Sequence, residues 1–214
     1  MILLKIAVIA DDLTGALDTS VQFRNFGMTV DVAPNLEKLC CLNQDTEIVV
    51  VNTDSRYLTP KEAYSRVKEA TLEMRDARIW YKKIDSTLRG NIGAELDSLM
   101  KYSEQSYSLI APAFPQAKRI TKNGVQTVNG IPLHKTEYNA EMNYSDSIIQ
   151  NIIGKQTERK ITHIPLNEIR RGPRYLRGKL AEEIRKGNEI IVLDSEYERD
   201  LRCISESCRE FRVV

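Results

Sequence analysis

Two adjacent acids follow the first apolar segment of the chain, in the string Asp11-Asp12-Leu13-Thr14-Gly15. One acid can cap the helix that follows, because the first backbone N–H groups of a helix have no partner within it. One cap needs one carboxylate, so the sequence predicts that the other is spare. A spare carboxylate there can bind the hydroxyls of a sugar or accept a hydroxyl proton, which marks this turn as a ligand site.

Basic residues lie at or just after the ends of two later apolar segments. Arg56 comes after residues 47–52, Lys83 lies within residues 79–84, and Arg89 follows shortly afterwards. The planar fork of arginine suits a carboxylate or phosphate held by two hydrogen bonds. Both charge signs at one edge of a sheet would suit a small ligand that carries hydroxyls and a carboxylate.

The elements that must position these residues alternate between apolar and amphipathic segments. Strands are predicted at residues 5–10, 29–33, 47–52, 79–84, 108–111, 161–165 and 189–193, and helices at 14–26, 60–74, 91–101, 145–153, 173–186 and 196–210. Repeated β-α units predict an α/β fold with a doubly wound, mainly parallel sheet and flanking helices. Ligands bind such sheets beyond the carboxyl ends of the strands, where the acids and bases above would gather.

A different pattern interrupts this alternation between residues 119 and 133. Asn123-Gly124 and Asn129-Gly130 separate short extended pieces, and Asn-Gly is a strong hairpin signal. The sequence therefore predicts a β-hairpin flap that projects from the sheet. Residues 211–214 look like the start of another strand.

Composition excludes several classes of function. The 214 residues suit one large domain or two small ones, and a net charge of +1 gives no broad attraction to nucleic acid or anionic membranes. The four cysteines and two histidines lack metal-ligand spacing, and no glycine-rich phosphate-binding motif occurs. We expect no metal site, no bound nucleotide, no signal peptide and no membrane helix, and hence a cytoplasmic location.

Taken in order, several strings resemble the four-carbon acid sugar kinases, which phosphorylate threonate, erythronate or 3-oxo-tetronate with ATP. The matching segments are residues 10–15 with Asp18 and Thr19, residues 52–56, Lys83 with residues 85–96, residues 111–115, and residues 121–124 and 128–137. The resemblance implies that residues 1–214 form the amino-terminal, substrate-binding domain of a two-domain kinase. A carboxy-terminal domain would bind ATP and Mg²⁺, and this chain alone would bind neither and be inactive.

The resemblance also implies roles for individual residues. Asp12, with Asp11, would orient the substrate hydroxyls and serve as general base. The carboxylate or the transferred phosphoryl group would be held by Arg56, Lys83 and Arg89. Further hydrogen bonds would come from Asp85, Ser86 and Asn91. The flap would be shaped by Asn123 and Gly124.

Two alternatives remain open at this point. One is a sugar-acid-binding domain or fragment without catalytic activity. The other is a phosphatase of the haloacid dehalogenase type, which is disfavoured because its two acids must stand two residues apart. The expected partners are a small sugar acid and a nucleotide-binding domain, on the same or a separate chain, and a homodimer is also compatible with the sequence.

Overall fold

The computed structural model describes residues 4–41, 46–209 and 211. The chain divides into two compact units. Among the described residues, unit 1 comprises residues 4–41, 46–85 and 90–105, and unit 2 comprises residues 86–89, 106–209 and 211. Of the helices in this part of the chain, none combines the length and apolar character that crossing a membrane would require.

Unit 1 is built on a parallel sheet. Its elements are β1 (Ile6–Ala10), α1 (Leu13–Asn25), β2 (Val30–Ala33), β3 (Ile48–Asn52), α2 (Pro60–Glu73), β4 (Ile79–Lys83) and α3 (Ile92–Tyr102). The four strands pair in the order β2-β3-β1-β4, and every pairing is parallel. The predicted strands and helices of this region are confirmed to within a residue or two.

The core of unit 1 explains why α1 lies against this sheet. Val8 and Ala10 of β1 and Ile48 and Val50 of β3 are buried on one face together with Ala16 of α1. Strand β3 is buried along its whole length, as its unbroken apolar run predicts for a strand covered on both faces.

Unit 2 contains a second parallel sheet and a small antiparallel one. Its elements are β5 (Ser108–Ile110), β6 (Arg119–Lys122), β7 (Val125–Val128), β8 (Ile131–Pro132), α4 (Asn139–Met142), α5 (Ile149–Gly154), β9 (Ile161–Ile164), α6 (Leu166–Ile169), α7 (Pro173–Arg185), β10 (Ile190–Leu193) and α8 (Glu198–Ser207). The parallel order is β5-β10-β9 and the antiparallel order is β6-β7-β8. A core formed by the parallel sheet and helices α6, α7 and α8 packs around Ile169, Leu176 and Leu193.

The predicted hairpin is confirmed as β6 and β7. Lys122 pairs with Val125 across the turn, and Asn123 and Gly124 have φ angles of 53° and 71°. Two consecutive residues with positive φ are typical of the tight hairpin turn that Asn-Gly favours. The turn is tied to β10 by the side chain that follows that strand, as described below.

Several features of the structure differ from the sequence prediction. The strands form two parallel sheets rather than one, because β5 pairs with the distant β10. Helix α5 begins at Ile149 instead of residue 145, since Ser147 and Ile148 pair with β7 and Asp146 accepts a hydrogen bond from the Ile148 N–H. Of the strand expected at residues 211–214, only residue 211 is described, and it is a bend; residues 212–214 lie outside the described residues.

Candidate functional site

The carboxyl ends of three neighbouring strands bring the first acid pair close to two bases in unit 1. Ala10, the last residue of β1, is in register with Asn52 of β3 on one side and Lys83 of β4 on the other. The turn that follows Ala10 therefore lies between the loop that carries Arg56 and the end of β4. This part of the predicted cluster is assembled by strand register alone.

Asp12 has two partners. It is the N-cap residue of α1, and its Oδ1 accepts a hydrogen bond from the Gly15 N–H at 2.8 Å. Its Oδ2 binds Nη1 of Arg56 at 2.5 Å. A Cβ added at Gly15 would stand 2.7 Å from Oδ1 and 3.5 Å from Nζ of Lys83, so glycine leaves the room that this capping carboxylate and the lysine occupy.

Asp11, the other acid of the pair, is the buried partner of the same arginine, so neither acid of this turn is spare. Its Oδ2 and Oδ1 accept hydrogen bonds from Nε and Nη2 of Arg56 at 2.7 and 3.0 Å. The two side chains are only 3% and 9% exposed. Arg56 therefore joins the two acids in a fork-like ion pair, which fixes the direction of both carboxylates.

Burial and charge act in opposite directions on the two bases. Burial by itself would lower the pKa of Arg56, but hydrogen bonds and attraction from Asp11, with further attraction from Asp12 and Asp85, raise it above its usual value. For Lys83 burial is the stronger effect, and its pKa is lowered in spite of the three aspartates. Nζ of Lys83 donates a hydrogen bond to the Ile84 carbonyl at 2.8 Å.

Gly90 allows the loop after β4 to approach this cluster. Its φ is +100°, and a Cβ there would stand 3.2 Å from Oδ2 of Asp11 and 3.6 Å from Cα of Arg56. Both the backbone conformation and the close approach require glycine.

Asn91, predicted to bind substrate, has a structural role for its amide. It is buried, and its Nδ2 donates hydrogen bonds to the carbonyls of Ser55 and Leu58 at 3.1 and 2.8 Å. These bonds fix the loop that carries Arg56. Next to this loop, Ser55 Oγ donates a hydrogen bond to Glu95, and the other carboxylate oxygen of Glu95 binds Nζ of Lys82 at 2.9 Å. Glu95 was not predicted to be part of this region.

Ser86 and Arg89 belong to unit 2 and have other neighbours. Ser86 Oγ accepts a hydrogen bond from Nη1 of Arg119 at 2.6 Å, and the Ser86 carbonyl accepts one from Gln126. The guanidinium groups of Arg89 and Arg119 lie over the ring of Tyr138, with centroid distances of 5.6 and 5.5 Å. Neither Arg119 nor Tyr138 was singled out in the sequence, because they do not follow a strand of the parallel sheets.

The turn at Asn123 and Gly124 is held by a buried acid. The backbone N–H groups of both residues donate hydrogen bonds to the carboxylate of Asp194 at 2.7 and 3.0 Å, and Nε2 of His163 lies 2.8 Å from the same group. Asp194 is completely buried and directly follows β10. The rule that identifies Asp11, an acid at the end of a buried strand, would also have identified Asp194.

The described residues do not fit a resident metal ion. They contain no group of three or more histidine, cysteine, aspartate or glutamate side chains arranged around a common centre. Both oxygens of Asp11 and both of Asp12 already accept hydrogen bonds from nitrogen donors. We therefore derive no chemical step through a metal held by these residues.

Comparisons with known proteins find relatives that are named as sugar-acid kinases. It is 37% identical to a D-threonate kinase from Salmonella typhimurium over 97% of this chain and 49% of that protein. It is 32% identical to a D-erythronate kinase from Heliobacterium modesticaldum over 94% of this chain and 47% of that one. The chain thus spans about half the length of the curated relatives it matches.

A solved structure shares the fold of this chain. A domain of unknown function from Bordetella bronchiseptica, described as a domain-swapped dimer with bound citrate, superposes with a TM-score of 0.81 at 26% identity, over 94% of this chain and 50% of that one. The family model described as "Sugar-binding N-terminal domain" matches residues 6–212. The chain therefore belongs to the family of sugar-binding N-terminal domains whose relatives include the four-carbon acid sugar kinases.

Proposed function

We propose that this chain is the substrate-binding half of an ATP-dependent kinase that phosphorylates a four-carbon sugar acid of the threonate, erythronate or 3-oxo-tetronate type. The observation that carries the proposal is the group formed by Asp11, Asp12, Arg56 and Lys83 at the carboxyl edge of the unit 1 sheet. Carboxylates suit sugar hydroxyls, and cations suit an anionic ligand, so one cluster offers both kinds of contact.

In this proposal Asp12 orients the hydroxyl that is to be phosphorylated and accepts its proton at Oδ2. Arg56 holds that oxygen in place, since the Nη1 contact fixes the carboxylate that also caps α1. Lys83 supplies positive charge near the reacting oxygens, where charge neutralisation contributes much of the catalysis of phosphoryl transfer. ATP and Mg²⁺ would be supplied by a nucleotide-binding half, with the metal neutralising the phosphate charge.

The names and ligands of the relatives support an acidic substrate. Two relatives are named as kinases of D-threonate and D-erythronate, and the Bordetella structure carries citrate, which is also a hydroxy acid. The adjacent positions of Asp11 and Asp12 do not favour the rival phosphatase hypothesis, in which the nucleophile and the second acid stand two residues apart.

Calorimetric titration of this chain tests the proposal. D-threonate or D-erythronate should bind, whereas ATP–Mg²⁺ and the uncharged alcohol threitol should give no comparable heat. Asp12→Asn should weaken sugar-acid binding, and Asp76→Asn, which alters an exposed aspartate of the same unit, should not. Binding of ATP–Mg²⁺ without any response to either sugar acid would overturn the assignment.

In the full-length enzyme, Asp12→Asn also separates a general base from a helix cap. Asparagine caps a helix about as well as aspartate, so folding should be kept while kcat falls by roughly 10²–10⁴. An unchanged kcat would mean that Asp12 acts only as a cap.

A further inference from the structure

A buried ion pair of unit 1 has no part in the chemistry proposed above. Nζ of Lys82 in β4 binds Oε2 of Glu95 in α3 at 2.9 Å, and both side chains are 1% exposed. Burial removes both charges from water, so such a pair adds little net stability compared with apolar side chains of the same size. Its other contacts give a different reason for its presence.

Each member of the pair is bound to a segment that carries a base of the candidate site. Lys82 directly precedes Lys83, and its Nζ donates a hydrogen bond to the Lys83 carbonyl at 3.0 Å. Glu95 accepts a hydrogen bond from the hydroxyl of Ser55, the residue before Arg56. The ion pair therefore links the end of β4 to the loop that carries Arg56.

The same series of contacts continues to the end of β1. Oγ of Ser55 lies 2.8 Å from Oγ1 of Thr53, which donates a hydrogen bond to the Ala10 carbonyl at 2.9 Å. The backbone N–H of Ser55 also donates to the Asp11 carbonyl at 3.0 Å. Thr53 and Ser55 are completely buried, and the low local dielectric strengthens these hydrogen bonds. One buried network thus joins the three strand ends at the candidate site.

We infer that Glu95 is a positioning residue of the candidate site. Through Ser55 and Lys82 it holds the loop and the strand end that carry the two cations of the site. An anion bound by both cations, Arg56 and Lys83, is sensitive to their separation, because a hydrogen bond weakens steeply when its distance or angle departs from the preferred range. Being buried, Glu95 acts through its neighbours rather than by contact with a substrate. Its effect on a sugar acid rests on the proposed function, whereas its control of the Arg56 loop does not.

Removing one hydroxyl from the network tests the inference. Ser55→Ala leaves the buried ion pair in place but breaks its link to the Arg56 loop, so the Kd for D-threonate in calorimetric titration should rise about tenfold. Ser98→Ala is the matched control, because it removes a buried hydroxyl of α3 that donates to the Tyr64 carbonyl at 2.7 Å. Its Kd should stay unchanged. Wild-type affinity in Ser55→Ala, or an equal rise in Kd in both variants, would overturn the inference.

The double variant Lys82→Met/Glu95→Leu separates positioning from stability. Apolar side chains of similar size should keep unit 1 folded, yet the Kd for D-threonate should rise about tenfold or more, since the link between the two segments is lost. This variant also decides the question if Ser55→Ala does not fold. Wild-type affinity in a folded double variant would overturn the inference.

A second measurement needs no ligand. The Nε–H of Arg56 donates to Asp11 at 2.7 Å, and NMR can follow its hydrogen exchange. Exchange should become about tenfold faster in Ser55→Ala and stay unchanged in Ser98→Ala. Faster exchange in Ser55→Ala, with no binding of any sugar acid by the wild type, would support the positioning network while refuting the proposed function. Unchanged exchange in Ser55→Ala would overturn the inference whatever the ligand.

Discussion

Replacing Asp11 by asparagine should destabilise unit 1 far more than the same change at Asp12. Removing one partner of a buried ion pair costs about 3–5 kcal/mol, because the other charge remains without compensation. Asp11 binds two nitrogens of Arg56 in a setting almost closed to water, but Asp12 continues to neutralise part of that charge. We therefore expect the lower end of the range, about 3 kcal/mol.

Asp12→Asn should cost about 1 kcal/mol, because its side chain is 27% exposed and asparagine retains the cap on α1. Urea unfolding followed by the fluorescence of Trp80 measures both values. Trp80 is the single tryptophan and is buried in β4, so its signal reports on unit 1. Asp76→Asn serves as the exposed control and should stay within about 0.5 kcal/mol of the wild type.

A smaller loss of stability in Asp11→Asn than in Asp12→Asn would contradict this prediction. A cost below about 1 kcal/mol for Asp11→Asn would also refute it, since the ion pair with Arg56 would then be no stronger than an ordinary surface pair.

Three further predictions concern buried charges. Glu95→Gln should lower the free energy of unfolding by about 3 kcal/mol, because Lys82 and Glu95 are each 1% exposed; Trp80 fluorescence measures the change. The double variant Lys82→Met/Glu95→Leu should cost less than this single one. A larger cost for the double variant would contradict the pairing. The pKa of Lys83 is lower in the folded protein than its usual 10.5, so the unfolded chain binds more protons and stability should rise with pH in the interval just below 10.5. The free energy of unfolding of the wild type minus that of Lys83→Met should accordingly increase between pH 8 and 10, and a constant difference would rule out the linkage. Asp194→Asn should speed amide hydrogen exchange in the turn at residues 123–124 about tenfold or more, since one acceptor oxygen is lost; unchanged exchange would show that the turn does not depend on this carboxylate.

The predictions from sequence were most successful where the signal is local. Periodicity located the strands and helices of unit 1, and Asn123-Gly124 located the hairpin turn, because both depend on residues close together in the chain. Boundaries were wrong where a distant partner competes. Helix α5 starts late because residues before it pair with β7, which local propensity cannot reveal.

By itself the sequence determined the α/β class, a helix cap by one of the two adjacent acids, and the types of side chain available after each strand. The tertiary structure decided which of those groups meet. Strand register placed Lys83 beside the turn after Ala10, and both oxygens of Asp11 accept hydrogen bonds from Arg56, so neither adjacent acid is spare. The structure also revealed Arg119 as a neighbour of the loop at 86–89. Such contacts join residues more than thirty positions apart, and they form only when sheet pairing and core packing have fixed the backbone around them.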